Sequence, residues 1–192
     1  MEIKENYFNT EIAKTKIIQR EGWREYTLRE NKLRFFFPDE WMAFYDLLKP
    51  KQKITFNFLI NTGARINEAR GIKVADVDSD RSSIIIRNTK TRNKDGSKKI
   101  RIISVSIQFI KFLKNIIKDY NLNTDDKFPV LSTPASNIAM QKALEKIEKI
   151  KDRENFSVHS VRKTLEVWLL ALNIDSLKVV KHMGHTLAIA EK

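Results

Sequence analysis

The first pair of residues in this chain that could bind or activate a ligand is an arginine followed three residues later by a glutamate. Arg65 and Glu68 lie in the stretch TGARINE, residues 62–68. If the segment after Gly63 is helical, the two side chains share a face and can pair. A surface ion pair is the plainer interpretation. The alternative is a guanidinium held for an anion, because its planar fork matches phosphate oxygens.

A histidine and a second arginine, His159 and Arg162, stand one helical turn apart in HSVR, residues 159–162. That spacing suits two groups that converge on one anion, and it equally suits a helix-start histidine beside a solvated arginine. His182 and His185 flank the end of an amphipathic helix. His185 could donate to a bound phosphate, but both histidines are also explained by the favourable dipole of a helix C-terminus.

A basic segment at residues 87–101 suggests the partner of these groups. The chain has 36 Lys and Arg against 24 Asp and Glu, a net charge of +12. Seven bases and one acid, Asp95, fall within this segment, so half of the net charge is local. Such a field favours a polyanion, and we predict double-stranded DNA. The predicted DNA-contacting residues are Arg87, Arg92, Lys94, Lys98, Lys99 and Arg101, and Lys90 lies at the first corner of the segment.

Other classes of protein fit the composition poorly. The chain has no cysteine, which excludes disulfides and thiolate metal sites and fits an intracellular protein. No carboxylate joins the three histidines at ligand spacing, so we expect no metal and no cofactor. No apolar stretch is long enough to span a bilayer, and residues 1–5 lack the start of a signal peptide. We therefore expect a cytoplasmic protein that acts on DNA, not on membranes.

The elements that must position these residues are mainly helices. Apolar spacing predicts helices that begin at about Pro38 with Asp39 as the cap, end at Pro50, and resume from 51 to a stop at Gly63. Further helices are predicted over 107–118, 135–150, 159–172 and 176–182. Strands over 82–87 and 98–106, joined by a turn at 93–97, form a hairpin. The fold class is therefore α+β, mainly helical, with a small antiparallel β-sheet; residues 1–37 are an arm, linker or partial helix, and residues 38–192 form the main domain.

Taken together, the order and spacing of these motifs resemble the tyrosine recombinase, or phage-type integrase, family. Residues 62–68 resemble its first arginine motif, HSVRKT at 159–164 its second, and HMGH at 182–185 its Leu-Gly-His motif with Met in place of Leu. The resemblance covers about residues 38–192, and the hairpin lysine is its loosest element. It implies the catalytic domain of an enzyme for site-specific recombination or integration.

The resemblance also implies a role for each residue. Arg65 and Arg162 would clamp the scissile phosphate and stabilise its pentacoordinate transition state, with Glu68 positioning Arg65. Lys90 would protonate the leaving 5′-oxygen, and His159 and His185 would hydrogen-bond the non-bridging oxygens. A tyrosine would attack to give a 3′-phosphotyrosine, a covalent link that requires neither metal nor ATP.

The chain departs from the family pattern at the nucleophile. The family tyrosine lies a short way beyond the Gly-His histidine, and the sequence ends at Lys192 before reaching that position. None of Tyr7, Tyr26, Tyr45 or Tyr120 occupies it. We expect a chain cut off before its nucleophile, inactive alone and monomeric, whose complete form self-associates on DNA. Two alternatives remain: a non-catalytic DNA-binding protein, and an enzyme similar to type IB topoisomerases.

Overall fold

A computed structural model describes residues 15–18, 26–29, 33–87, 96 and 99–184. The chain divides into two compact units, residues 1–32 and 33–192. In the first unit, strands β1 (Thr15–Ile18) and β2 (Tyr26–Arg29) pair antiparallel. The sequence predicts an arm or partial helix there, and for these two segments the helix is wrong. Both are rich in β-branched or aromatic residues, which favour strands.

The second unit is mainly helical and contains one small sheet, which confirms the predicted fold class. Its helices and strands, in chain order, are α1 (Pro38–Asp46), α2 (Pro50–Thr62), α3 (Ile66–Ala69), β3 (Val77–Asp78), β4 (Ser83–Ile86), β5 (Arg101–Ser104), α4 (Ile107–Asp119), α5 (Thr133–Leu144), α6 (Val158–Ala171) and α7 (Ser176–Met183). No described helix is long and apolar enough to cross a membrane.

Three predicted helix boundaries are wrong, and two of these errors involve proline. Phe37, not Asp39, caps α1, and Pro38 takes its first position, where the missing N–H of proline costs nothing. Glu40 then reaches back to accept a hydrogen bond from the Phe37 N–H at 3.0 Å. Pro50 likewise opens α2 and does not close α1. The predicted helix over 135–150 also ends early, at Leu144.

Gly63 ends α2, as predicted, and its backbone is left-handed with φ of 59°. Its N–H donates to the Leu59 carbonyl at 2.9 Å. A Cβ at this position would lie 2.8 Å from Met183 Sδ and 3.0 Å from Leu165 Cδ2. Glycine is therefore required twice, by the backbone angle and by the close approach of α6 and α7.

The sheet has the order β3-β4-β5 and is antiparallel throughout. Ile86 at the end of β4 lies opposite Arg101 at the start of β5. Alternation along β5 leaves Ile102 67% exposed and buries Ile103 at 2%. Arg101 shares the inner face with Ile103, because side chains two apart point the same way. The predicted turn between the strands lies outside the described residues, apart from Gly96.

The core of the second unit combines aliphatic side chains with a cluster of aromatic rings. Phe36, Phe44 and Phe56 are fully buried, and Phe36 contacts Phe156 with ring centroids 4.5 Å apart. Residues 33–37, which the sequence places in the arm, belong to this core: the Phe36 N–H donates to Thr164 Oγ1 on α6 at 2.9 Å. Each such buried ring contributes about 1.5–3 kcal/mol of transfer free energy. The helix ends that carry the site are thus rigidly held.

Candidate active site

The pair predicted at the start of α3 is present, and its carboxylate is buried. Arg65 is the N-cap residue of α3, and its Nη1 donates to Glu68 Oε1 at 2.9 Å. The Arg65 backbone N–H donates to Glu68 Oε2 at 3.0 Å. The Glu68 side chain is only 3% exposed, against 29% for Arg65. The carboxylate is therefore withdrawn from water, and the guanidinium stands between it and the solvent.

The second predicted arginine, Arg162, lies on α6 and joins the ends of two other helices. Its Nη1 donates to the carbonyl of Gly63, which ends α2, and its Nη2 donates to the carbonyl of Met183, the last residue of α7. Helix C-termini carry unpaired carbonyls and partial negative charge, so a buried cation is well placed at both. Arg162 is 3% exposed and therefore held in one orientation.

A third arginine, Arg101, enters the same pocket from the sheet. The sequence predicts it as one of the DNA contacts of the basic segment, but its side chain is only 10% exposed. Its Nη2 donates to Glu68 Oε2 at 3.0 Å, and its Nη1 donates to the Met183 carbonyl. Its Nε is buried and has no hydrogen-bond partner among the described residues. We name Arg65, Arg101, Arg162 and Glu68 the arginine pocket.

The electrostatics of the arginine pocket favour an anion. Within the pocket three guanidiniums face the one carboxylate of Glu68, which leaves two positive charges, and Glu166 adds a further negative charge that acts on Arg162. Burial, followed by the positive charges of Arg65 and Arg101, lowers the pKa of Arg162 to about 10. Burial is also the main reason that the pKa of Arg101 is lowered. Both pKa shifts mean that the charged forms of these arginines are disfavoured. A negatively charged ligand would therefore stabilise the charged guanidiniums.

His182 also belongs to this region, although the sequence predicts no catalytic role for it. It is half-buried and, with Leu165 and Lys178, lines a cavity of about 390 Å³. Burial lowers its pKa below 6.5, and the positive charges of Arg101 and Arg162 lower it further. At neutral pH the imidazole is therefore uncharged, with one nitrogen able to donate and the other to accept.

His159 occupies the first turn of α6, one turn before Arg162, as predicted. It is exposed, and its backbone N–H donates to Ser157 Oγ at 3.2 Å. Arg87 and Lys99 are exposed as well, and Arg87 pairs with the buried Asp76 at 2.6 Å. The other predicted site residues, Lys90, Arg92, Lys94, Lys98 and His185, lie outside the described residues. Among the residues described, no group of three or more histidines and carboxylates could hold a metal ion.

The sequence contained a signal for Arg101 but not for His182. Ile103 and Val105 are apolar and lie two and four residues after Arg101, so period-two alternation places the arginine on the buried face. An arginine on a buried face needs a carboxylate or carbonyl partner, which marks it as different from its basic neighbours. His182 shows no such signal, because its burial depends on how α6 and α7 pack.

Comparison with known proteins supports one family. The sequence model of the phage integrase family matches residues 35–188. Among solved structures, the Tn1549 transposon integrase in complex with transposon right-end DNA aligns with a TM-score of 0.66 at 17% identity, over 81% of this chain and 59% of that one. XerA recombinase gives 0.65 at 19%, over 83% and 59%. The catalytic domain of bacteriophage HP1 integrase gives 0.60 at 19%, over 83% and 85%.

These likenesses establish the fold of the second unit. The chain spans about three fifths of the length of the Tn1549 integrase and XerA chains it matches. No curated protein sequence matches the chain.

Proposed function

Because this chain belongs to the phage integrase family, we propose that it acts on double-stranded DNA in site-specific recombination or integration. In this proposal it supplies the site that activates a scissile phosphate. The observation that carries it is the arginine pocket, in which Arg65 and Arg162 are held by a buried carboxylate and two helix-end carbonyls. The choice of partner is supported by the Tn1549 integrase, which was solved in complex with transposon right-end DNA, and by the XerH site-specific recombinase, which was solved bound to its difH substrate.

The proposed reaction is a transesterification at phosphorus. A tyrosine hydroxyl loses its proton to water or a nearby base as its oxygen attacks phosphorus. The bond from phosphorus to the 5′-oxygen breaks, and Lys90 gives that oxygen a proton, which leaves a 3′-phosphotyrosine and a free 5′-hydroxyl. Arg65 and Arg162 stabilise the charge that develops on the non-bridging oxygens. None of the four tyrosines of this chain is assigned the attack. The covalent link conserves the energy of the phosphodiester, so the proposal includes neither metal nor nucleotide cofactor.

The remaining predicted residues complete the proposal. His159, on the exposed first turn of α6, and His185 hydrogen-bond the non-bridging oxygens. The bases of the hairpin contact backbone phosphates, which makes binding fall steeply as salt rises. We further propose that this chain is a monomer, that the complete gene product self-associates on DNA, and that both act in the cytoplasm.

A covalent adduct tests the proposal. A DNA site is first selected by repeated binding from a random-sequence library, and the complete product of the gene is then given that site with a nick beside each phosphate in turn. We expect a protein–DNA adduct that is lost on protease treatment. Arg65→Gln and Arg162→Gln should each reduce its rate by about 100–1,000-fold, the effect of removing one transition-state donor. Arg81→Gln removes the same charge at a side chain that is 86% exposed, and should leave the rate unchanged.

Each other outcome identifies an alternative. If the selected DNA binds but never forms an adduct, and the Arg65 and Arg162 variants bind as wild type, the chain is a non-catalytic DNA-binding protein. If it relaxes supercoiled plasmid that lacks the selected site, it is a topoisomerase. Either result overturns the proposal.

A further inference from the structure

We propose that Arg101 is a positioning residue of this site, which ties the base of the basic hairpin both to Glu68 and to the end of α7. The inference rests on the proposed function, because the groups that Arg101 holds are those that would bind the phosphate. It gives Arg101 a role different from that of its basic neighbours, which are predicted to contact DNA.

The first step is the orientation of Arg101. It opens β5 opposite Ile86, on the face that buries Ile103, and its side chain is 10% exposed. By contrast, Lys99 is exposed. A base that contacts backbone phosphates must reach the solvent side of a ribbon, and Arg101 points the other way.

The second step is the way Glu68 is shared. Its Oε1 accepts from Arg65 Nη1, while its Oε2 accepts from the Arg65 backbone N–H and from Arg101 Nη2. The carboxylate is therefore fixed from two sides, and the Arg65 guanidinium is fixed with it. Without Arg101, Glu68 loses one of the two cations that hold it, and the orientation of Arg65 toward a phosphate is no longer defined.

The third step is the end of α7. The Met183 carbonyl accepts from both Arg101 and Arg162. The next residue, Gly184, is left-handed with φ of 66°, and a Cβ there would collide with Arg101 Nη1. The left-handed cap of α7 therefore packs directly against this guanidinium. One side chain from the sheet thus holds the end of that helix.

Both strands of the hairpin are anchored at their base in this way. On β5 the anchor is Arg101 to Glu68, and just after β4 it is Arg87 to Asp76, with 2.6 Å between Nε and Oδ1. Lys90 follows Arg87 by three residues. Arg101 thus ties the described base of the hairpin to the residues that would hold the phosphate.

The test separates positioning from direct DNA contact. Arg101→Gln and Arg101→Lys are compared with Arg81→Gln in the complete gene product, on the selected DNA site. A lost phosphate contact would lower the slope of log affinity against log salt by about one. A lost positioning residue should instead leave that slope unchanged and lower the cleavage rate at saturating DNA by about 100-fold, the cost of a misplacement of about 1 Å.

Lysine distinguishes charge from geometry. It keeps the charge of arginine but lacks the planar fork that reaches Glu68 and the Met183 carbonyl together. We therefore expect Arg101→Lys to fold and to cleave as poorly as Arg101→Gln. If the glutamine variant does not fold, the lysine variant alone decides. Cleavage by Arg101→Lys at the wild-type rate, or a salt slope that falls by one, would overturn the inference.

A second readout requires no cleavage. In the 192-residue chain labelled with ¹⁵N-arginine, Arg101→Lys should shift the guanidinium signals of Arg65 and Arg162, whereas Arg81→Gln should leave them in place. Unmoved signals contradict the positioning role. Failure of the wild-type gene product to form any adduct would contradict the proposed function, and is thus distinguishable from failure of this inference.

Discussion

A divalent anion should stabilise this fold through the arginine pocket. The pKa of Arg162 is lowered to about 10, by burial first and then by Arg65 and Arg101. One pKa unit corresponds to 1.36 kcal/mol, so keeping this guanidinium charged at pH 7 costs about 3 kcal/mol. Above pH 10 the unfolded chain keeps the proton that the folded chain loses, so stability rises with pH there, and the full cost is present below pH 10. An anion bound against Arg162 offsets that cost.

The expected stabilisation by sulfate follows from ligand linkage. Sulfate at 100 times its dissociation constant adds about 2.7 kcal/mol, which is close to the cost that Arg162 carries. For a chain of 192 residues, one kcal/mol corresponds to about 2–4 °C in Tm, so we expect a rise of about 5–10 °C. The assay is thermal unfolding followed by circular dichroism at pH 7, in sodium sulfate and in sodium chloride of equal ionic strength.

Sulfate also stabilises proteins in general, because it is excluded from their surfaces. The comparison is therefore between variants in the same buffer. Arg81→Gln should keep the full sulfate-dependent rise in Tm. Arg65→Gln and Arg162→Gln should keep only the part of the rise that comes from exclusion of sulfate from the protein surface. If Arg162→Gln gains as many degrees as wild type, sulfate acts through the solvent alone, and the reasoning that makes this pocket an anion site is wrong.

Three further predictions concern groups around the same pocket. Glu68→Gln leaves buried guanidiniums without their carboxylate and should lower the free energy of unfolding by about 3–5 kcal/mol in urea, whereas Asp125→Asn, at a side chain 90% exposed, should change it by less than about 1 kcal/mol. Because the pKa of His182 is lowered in the folded state, stability should fall as pH drops below 6.5, and His182→Gln should remove that part of the slope; an unchanged slope assigns it to other groups. Gly63→Ala adds a Cβ 2.8 Å from Met183 Sδ at a left-handed position and should cost about 1–3 kcal/mol, measured in the same urea titration; a cost below 0.5 kcal/mol would mean that the Met183 side chain moves aside and that the backbone angle is tolerated.

Much of the site could be predicted because its signals are local. Gly63 as a helix end and the pairing of Arg65 with Glu68 depend only on residues within one turn, and both are present. The spacing of His159 and Arg162 likewise places them on one helix. Local patterns also give the fold class, since the apolar periods of α4 and α6 differ clearly from the short β-branched segment of β4.

What could not be predicted depends on contacts between distant residues. Alternation places Arg101 on the buried face of β5, but nothing in its own segment identifies its partners Glu68 and Met183, which lie 33 and 82 residues away. Residues 33–37 read as the end of an arm, yet the hydrogen bond from Phe36 to Thr164 joins them to a helix 128 residues later. The errors at the helix boundaries near proline have a different reason. A proline that can end one helix is also well suited to open the next, and the sequence alone does not decide between these two positions.

The acceptors of Arg162 have a consequence for how the site tolerates mutation. Both are main-chain carbonyls, of Gly63 and Met183, and every amino acid supplies that oxygen. A substitution at position 183 therefore cannot delete an acceptor; it acts only through the volume that packs over Gly63 and Leu165, where leucine should serve as well as methionine. Most residues that line the arginine pocket can thus change by genetic drift without loss of the pocket's function. Loss of function by single codon changes should concentrate at its charged groups and its two left-handed glycines: Arg65, Glu68, Arg101, Arg162, Gly63 and Gly184.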